Sequence, residues 1–438
     1  MTDRPGRAAP PPSAFRLNLE QQKKRAKDLL RAAQAADDPG RAAALARFDP
    51  RTGRSRDGSA ATLKLADAQF VIARELRFAS WADLKAHIQS LDRQRSAIDA
   101  KQSAPDADLK TLHIRCGSDI KNTLDEAGFT GDFLEHAIPY CLGPVTRGPD
   151  RHERMARFLV GAFPDARGGL EYESELKGLI DNEERLHRSA DDYERVVIWM
   201  EHDSWDQLVL LRLLAHYADA KRPRVLELIV VDEFPGGERF LGIGQLPAEA
   251  LRLIWFGRKP VTSAQLALGR DGWLALSNDD PRDLAALARS GTPALPVMAP
   301  ALHRHLRELP SVENGLGLTQ QLVLQILAEG SATLNRVFHV LHKEREPLPW
   351  IGDLGLRDVV NNMLKTTEPP LTRVMPPPGA REFLQQLTIT PVGIALLRGE
   401  RDWHTLQPPP RWVGGVNVRA GIAGWRWNES TREVVWRE

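Results

Sequence analysis

The chain has 438 residues, 42% of them hydrophobic, which is enough for several domains with sizeable cores. Its formal net charge is +1 at pH 7, so no overall field attracts nucleic acid or a membrane surface. Cys116 and Cys141 are the only cysteines, which excludes a disulfide framework and favours a reduced, cytoplasmic setting. No apolar run approaches the roughly 18 residues of a membrane span, and the N-terminus lacks a secretory signal.

The N-terminal part predicts a disordered leader over residues 1–14, a helical module over 15–92 and a polar linker over 93–109. Apolar residues recur at helical spacing over 63–78, which places Leu65, Ala68 and Ile72 on one buried face. Ser80 is expected to cap the following helix. Residues 65–88 are similar to a short helical module found near ankyrin-like repeats, and that resemblance implies a docking surface for a protein partner.

Residues 110–245 predict a Rossmann-like α/β domain with a mainly parallel sheet. Apolar runs at 112–116, 132–137, 196–200 and 225–231 alternate with helical segments, and right-handed crossovers make such strands parallel neighbours. Ligands bind at the carboxyl ends of parallel strands, so the turns after the first and third runs are the expected site.

The polar residues Glu201, His202 and Asp203 lie in the second of these turns, between a buried strand and a helix. Ser204 and Gln207 fit a capping box at the start of that helix. Three interpretations stay open: the trio and Gln207 contact a ligand, two of the trio hold a metal, or Asp203 favours the helix N-terminus while His202 bonds locally. No HExxH or CxxC spacing supports zinc, and no metal is predicted.

Gly117, Ser118 and Asp119 form the first turn. Glycine permits close approach to the backbone, and a helix N-terminus favours an anion such as phosphate, although a plain capped turn is the alternative. The dinucleotide and Walker A glycine patterns are absent, so the cofactor stays unknown. Ser118 could act as a nucleophile with His202 as base, but no nucleophile elbow surrounds it. The candidate catalytic residues are therefore His202, Asp203 and Asp119, expected in one cleft.

Several short motifs together resemble the bacterial family catalogued as domain of unknown function 1835, over roughly residues 111–235. They are His113-Ile, Gly117-Ser-Asp119, Gly143-Pro144, Trp199, Glu201-His-Asp203 and Asp206-Gln207. The family name implies no activity, substrate or cofactor. Members often carry Gly-Asp-Ser at the first turn, so an acidic side chain of that turn is shifted here by one position.

Residues 246–315 predict a helical extension, and 316–400 resemble a winged helix-turn-helix. Its third helix, over 354–365, carries Arg357, Asp358 and Lys365. This is too little positive charge for strong phosphate contact, which favours a protein adaptor over a DNA reader. Residues 401–438 predict short β-strands. The chain is thus expected to bind a small anionic or nucleotide-like ligand, as an enzyme or sensor, or else to serve as a regulatory adaptor.

Overall fold

The computed structural model describes residues 14–35, 39–48, 63–164, 169–377 and 379–438, so residues 1–13 of the expected leader lie outside it. The helices are α1 (Leu19–Gln34), α2 (Arg41–Ala46), α3 (Leu65–Glu75), α4 (Trp81–Asp99), α5 (Lys121–Glu126), α6 (Arg151–Ala162), α7 (Tyr172–Asp192), α8 (Ser204–Asp219), α9 (Ala248–Trp255), α10 (Ser263–Leu276), α11 (Arg282–Ser290), α12 (Met298–Leu306), α13 (Leu318–Ala328), α14 (Leu334–Val340), α15 (Asp353–Leu364) and α16 (Pro391–Leu397). The strands are β1 (Thr111–Arg115), β2 (Asp132–Glu135), β3 (Arg195–Glu201), β4 (Val225–Val231), β5 (Lys259–Pro260), β6 (Ala332–Thr333), β7 (Leu371–Val374), β8 (Gln386–Ile389), β9 (Arg411–Val413), β10 (Val416–Val418), β11 (Gly424–Asn428) and β12 (Glu433–Arg437).

The chain forms two compact units, and each is assembled from stretches that are not contiguous in sequence. Of the described residues, the first contains those in 14–108, 119–130 and 231–258, and the second contains those in 109–118, 131–230 and 259–438. Helix α9 packs on α4 and α5, which joins the three stretches of the first unit. The domain boundaries expected from the sequence stay a prediction.

The first unit is helical. The Ser80 hydroxyl accepts a bond from the Asp83 backbone N–H at 3.1 Å, which confirms the predicted cap of α4. This helix runs to Asp99, so part of the expected linker is helical, and its buried Ala97 explains why. Leu65 was expected inside but is exposed, because it is the first residue of α3.

The second unit contains a sheet in the order β2-β1-β3-β4-β5. Strand β1 runs parallel to both β2 and β3, and the short β5 pairs antiparallel with β4. This confirms an α/β fold with a mainly parallel sheet. Every residue of β3 is buried, and α8, which follows it, is also largely buried. Helix α10 packs closely on α8 at Gly269. A Cβ atom added to Gly269 would lie 2.2 Å from the Cβ of Leu214.

The second unit also contains the region that the sequence predicts to resemble a winged helix-turn-helix, and that resemblance stays a prediction. Strands β6, β8 and β7 form an antiparallel sheet in that order, accompanied by α13, α14 and α15. The tail forms two hairpins, β9–β10 and β11–β12. Among the residues described, none of the helices combines the length and apolar character that a bilayer crossing requires.

Candidate functional site

The candidate site lies where the strand order of the parallel sheet reverses. From β1 the sheet continues to β2 on one side and to β3 on the other. In open α/β sheets the crevice at this switch point, outside the carboxyl ends of the strands, is the usual place for a ligand. Arg115 is the last residue of β1, and Glu201 is the last residue of β3.

A buried ion network occupies these two strand ends. The Arg115 guanidinium donates through Nη1 to Asp206 Oδ1 and through Nη2 to Glu201 Oε1. The same Asp206 oxygen accepts a bond from the Glu201 backbone N–H at 2.7 Å. The Arg115, Glu201 and Asp206 side chains are only 4%, 7% and 5% exposed, so solvent screens their charges weakly.

Helix α8 begins at this network, and its N-cap is Asp203. This residue has the extended backbone of a cap, and its Oδ1 accepts the Asp206 N–H at 3.0 Å. The capping box predicted for Ser204 and Gln207 is therefore wrong, since Ser204 is already helical. Its hydroxyl donates instead to the Ala301 carbonyl at 2.9 Å, while Gln207 Nε2 donates to the Glu201 carbonyl.

One guanidinium group faces three carboxyl groups at the site. Carboxylate oxygens of Glu201, Asp203 and Asp206 all lie within 4.8 Å of one another, and three oxygen donors of this type could hold a hard cation. Arg115, however, already supplies positive charge to two of them. Burial, reinforced by the negative charge of Asp206, raises the pKa of Asp203 well above its ordinary value. Asp203 therefore holds its proton to a higher pH than an ordinary carboxyl group does, which lessens its repulsion with Asp206.

The other predicted site residues have differing environments. Gly117 has a φ of +99°, which favours glycine, so the turn itself requires this residue. Ser118 is exposed and His202 is half-buried. Asp119 belongs to the first unit, where a Cβ on Gly244 would lie 2.5 Å from its Oδ2. The structure therefore groups Glu201, Asp203 and Gln207, and a cleft shared by Asp119 and His202 stays a prediction.

Arg115 and Asp206 were not among the predicted site residues. The sequence does contain a sign of the role of Arg115. It is an arginine in a strand that the apolar residues predict to be buried, and a buried arginine needs a partner of opposite charge. Its partners lie 86 and 91 positions away along the chain. Comparisons with family models and with curated proteins find no match. The resemblance to domain of unknown function 1835 stays a prediction.

Proposed function

We propose that this is a cytoplasmic protein whose second unit binds a small nucleotide-like ligand at the β1–β3 switch point, as an enzyme or sensor. One observation carries the proposal: Arg115, Glu201 and Asp206 form a buried charge network at that point. Buried ion pairs rarely stabilise a fold more than apolar side chains of similar volume would. The position of this network at the switch point fits a role in orienting the polar groups that contact the ligand.

The same network indicates which part of a ligand would approach. A bare polyanion would meet three carboxyl groups and one guanidinium that is already paired. The backbone amide of Asp206 in the first turn of α8 is occupied by the Asp203 side chain. Hydroxyl groups, as on a ribose, would be better partners for these acceptors than a phosphate. His202 and Ser118 are accessible enough to contact the rest of the ligand.

A metabolite-library thermal-shift screen of the full chain tests this proposal. A ligand that binds only the native state raises the unfolding temperature. At a ligand concentration of one hundred times the Kd, it adds about 2.7 kcal/mol to the free energy of unfolding. His202→Ala should abolish the shift of a true hit without lowering the unfolding temperature of the free protein. His339→Ala, at an exposed histidine of α14, is the matched control. Hits that shift both variants equally, or an absence of hits, would contradict the proposal.

A second candidate function is an adaptor role for the winged-helix region. Arg357, which would have to face DNA, is buried and donates to Glu382 at 2.7 Å. Apolar residues of the wing are instead exposed: Val374 by 68%, Met375 by 52% and Leu384 by 49%. Exposed apolar residues grouped in this way are typical of protein contacts.

Gel shifts at moderate salt separate the adaptor from a DNA reader. We expect no sequence-specific complex, because α15 offers too little free positive charge. A shift that is lost when Arg357 and Lys365 are neutralised would refute the adaptor role. If an adaptor partner is identified, Val374→Asp should weaken its binding. Ile422→Asp, at another exposed apolar residue, should not.

A further inference from the structure

A small cavity lies between α6, α7, α8 and α10 of the second unit. Its volume is about 30 Å³, and its lining includes Thr146, Arg151, His152, Glu183, Arg212 and Trp273. A water molecule needs roughly 10–15 Å³ of such space, so the cavity has room for about two waters or for one chemical group of similar size. None of these residues belongs to the network around Arg115.

The cavity carries a net positive charge. Glu183 Oε1 accepts from Arg212 Nη2 and lies 3.6 Å from Arg151 Nη2. Burial opposes ionisation of Glu183, but Arg212 and neighbouring cations outweigh it and lower its pKa. Two guanidinium groups and one carboxylate leave one positive charge. Trp273 lies 5.7 Å below the Arg212 guanidinium and helps to hold it in place.

Two further polar atoms of the lining are unsatisfied. Thr146 Oγ1 and His152 Nε2 are buried and have no hydrogen-bond partner among the residues that the structure describes. Glu183 Oε2 lies 3.9 Å from His152 Nε2, which is beyond hydrogen-bond distance. Buried polar atoms without partners are costly, so a group that bonds to both would stabilise the cavity.

The exposure of the side chains gives the cavity a floor and a mouth. Arg212 and Glu183 are 13% and 7% exposed and form the floor. Arg151 is 35% exposed and His152 is 18% exposed, and these two form the mouth. A ligand could therefore bury one small charged group and leave its remainder outside.

We infer that this cavity binds the carboxylate group of a small organic acid, with Arg151 as the charged partner and Thr146 and His152 as the neutral ones. One negative charge matches the surplus positive charge, and three heavy atoms match the volume. A phosphate carries more charge and more atoms than the cavity accommodates. This site is separate from the ligand site proposed above, so either can be correct without the other.

Calorimetric titration of the full chain with sodium formate, against sodium chloride at equal ionic strength, tests the inference. We expect saturable binding of formate to the wild-type protein that inorganic phosphate does not displace. Thr146→Val removes the hydroxyl at nearly constant volume, and Arg151→Gln removes the charge at the mouth. Each should weaken formate binding about tenfold or more, the effect of losing a hydrogen bond to a charged group.

Arg154→Gln is the matched control, because Arg154 lies on the same helix and pairs with Asp150 at the surface. It should bind formate as the wild type does, and Thr146→Ser should restore most of the affinity lost in Thr146→Val. If Thr146→Val does not fold, Arg151→Gln against Arg154→Gln still decides. No saturable formate binding, which would leave a cavity that holds water alone, would overturn the inference. Binding that neither variant changes would also overturn it.

Discussion

Replacing Arg115 by methionine removes the guanidinium that joins Glu201 to Asp206. Both carboxylates would then be buried beside each other without that cation, since their side chains are only 7% and 5% exposed. Removing one partner of a buried ion pair costs about 3–5 kcal/mol, because the charge left behind is not solvated. The ratio of folded to unfolded protein should fall by about a thousandfold.

Denaturant unfolding followed by tryptophan fluorescence measures this loss, since Trp199 is fully buried in β3. Adding Glu201→Gln and Asp206→Asn to the variant should recover much of the stability at neutral pH.

Arg188→Met is the control for this experiment. Arg188 pairs with Asp192 on the surface of α7, where both side chains are well exposed. Loss of such a pair costs less than about 1 kcal/mol. If Arg115→Met costs no more than Arg188→Met, the two buried carboxylates do not depend on Arg115 for their stability.

Two further predictions concern α8 and the helix packed against it. Asp203→Asn keeps a cap acceptor for Asp206 but removes a group whose pKa is raised by burial. Such a group stabilises the fold below its unfolded pKa of about 3.9 and loses that contribution as the pH rises. In denaturant titrations, the Asp203→Asn variant should therefore be more stable than the wild type by about 1 kcal/mol or more at pH 8. Near pH 4 the two proteins should be about equally stable. Gly269→Ala should lower stability by about 1–3 kcal/mol in thermal unfolding because of its contact with Leu214. Gly178→Ala, a control on α7 with no described atom within 4 Å of the added Cβ, should raise stability by about 0.5–1 kcal/mol.

Much of the local structure could be predicted from the sequence. The run Val225–Val231 is a strand with the predicted bounds. The helix predicted over 354–365 likewise forms as α15, shifted by one residue. These features depend on periodicity and capping within a few residues, which a single sequence displays directly.

The composition of the site depended on tertiary structure. Which residue caps α8 depends on where β3 ends and the helix begins: β3 continues to Glu201, beyond its last pairing with β1 at Trp199, and α8 begins at Ser204. Arg115 meets Asp206 across 91 positions of chain, and Arg212 meets Glu183 across 29. Neither pairing leaves a periodic trace in the sequence, because burial of an arginine demands a carboxylate nearby in space without specifying where that carboxylate lies along the chain.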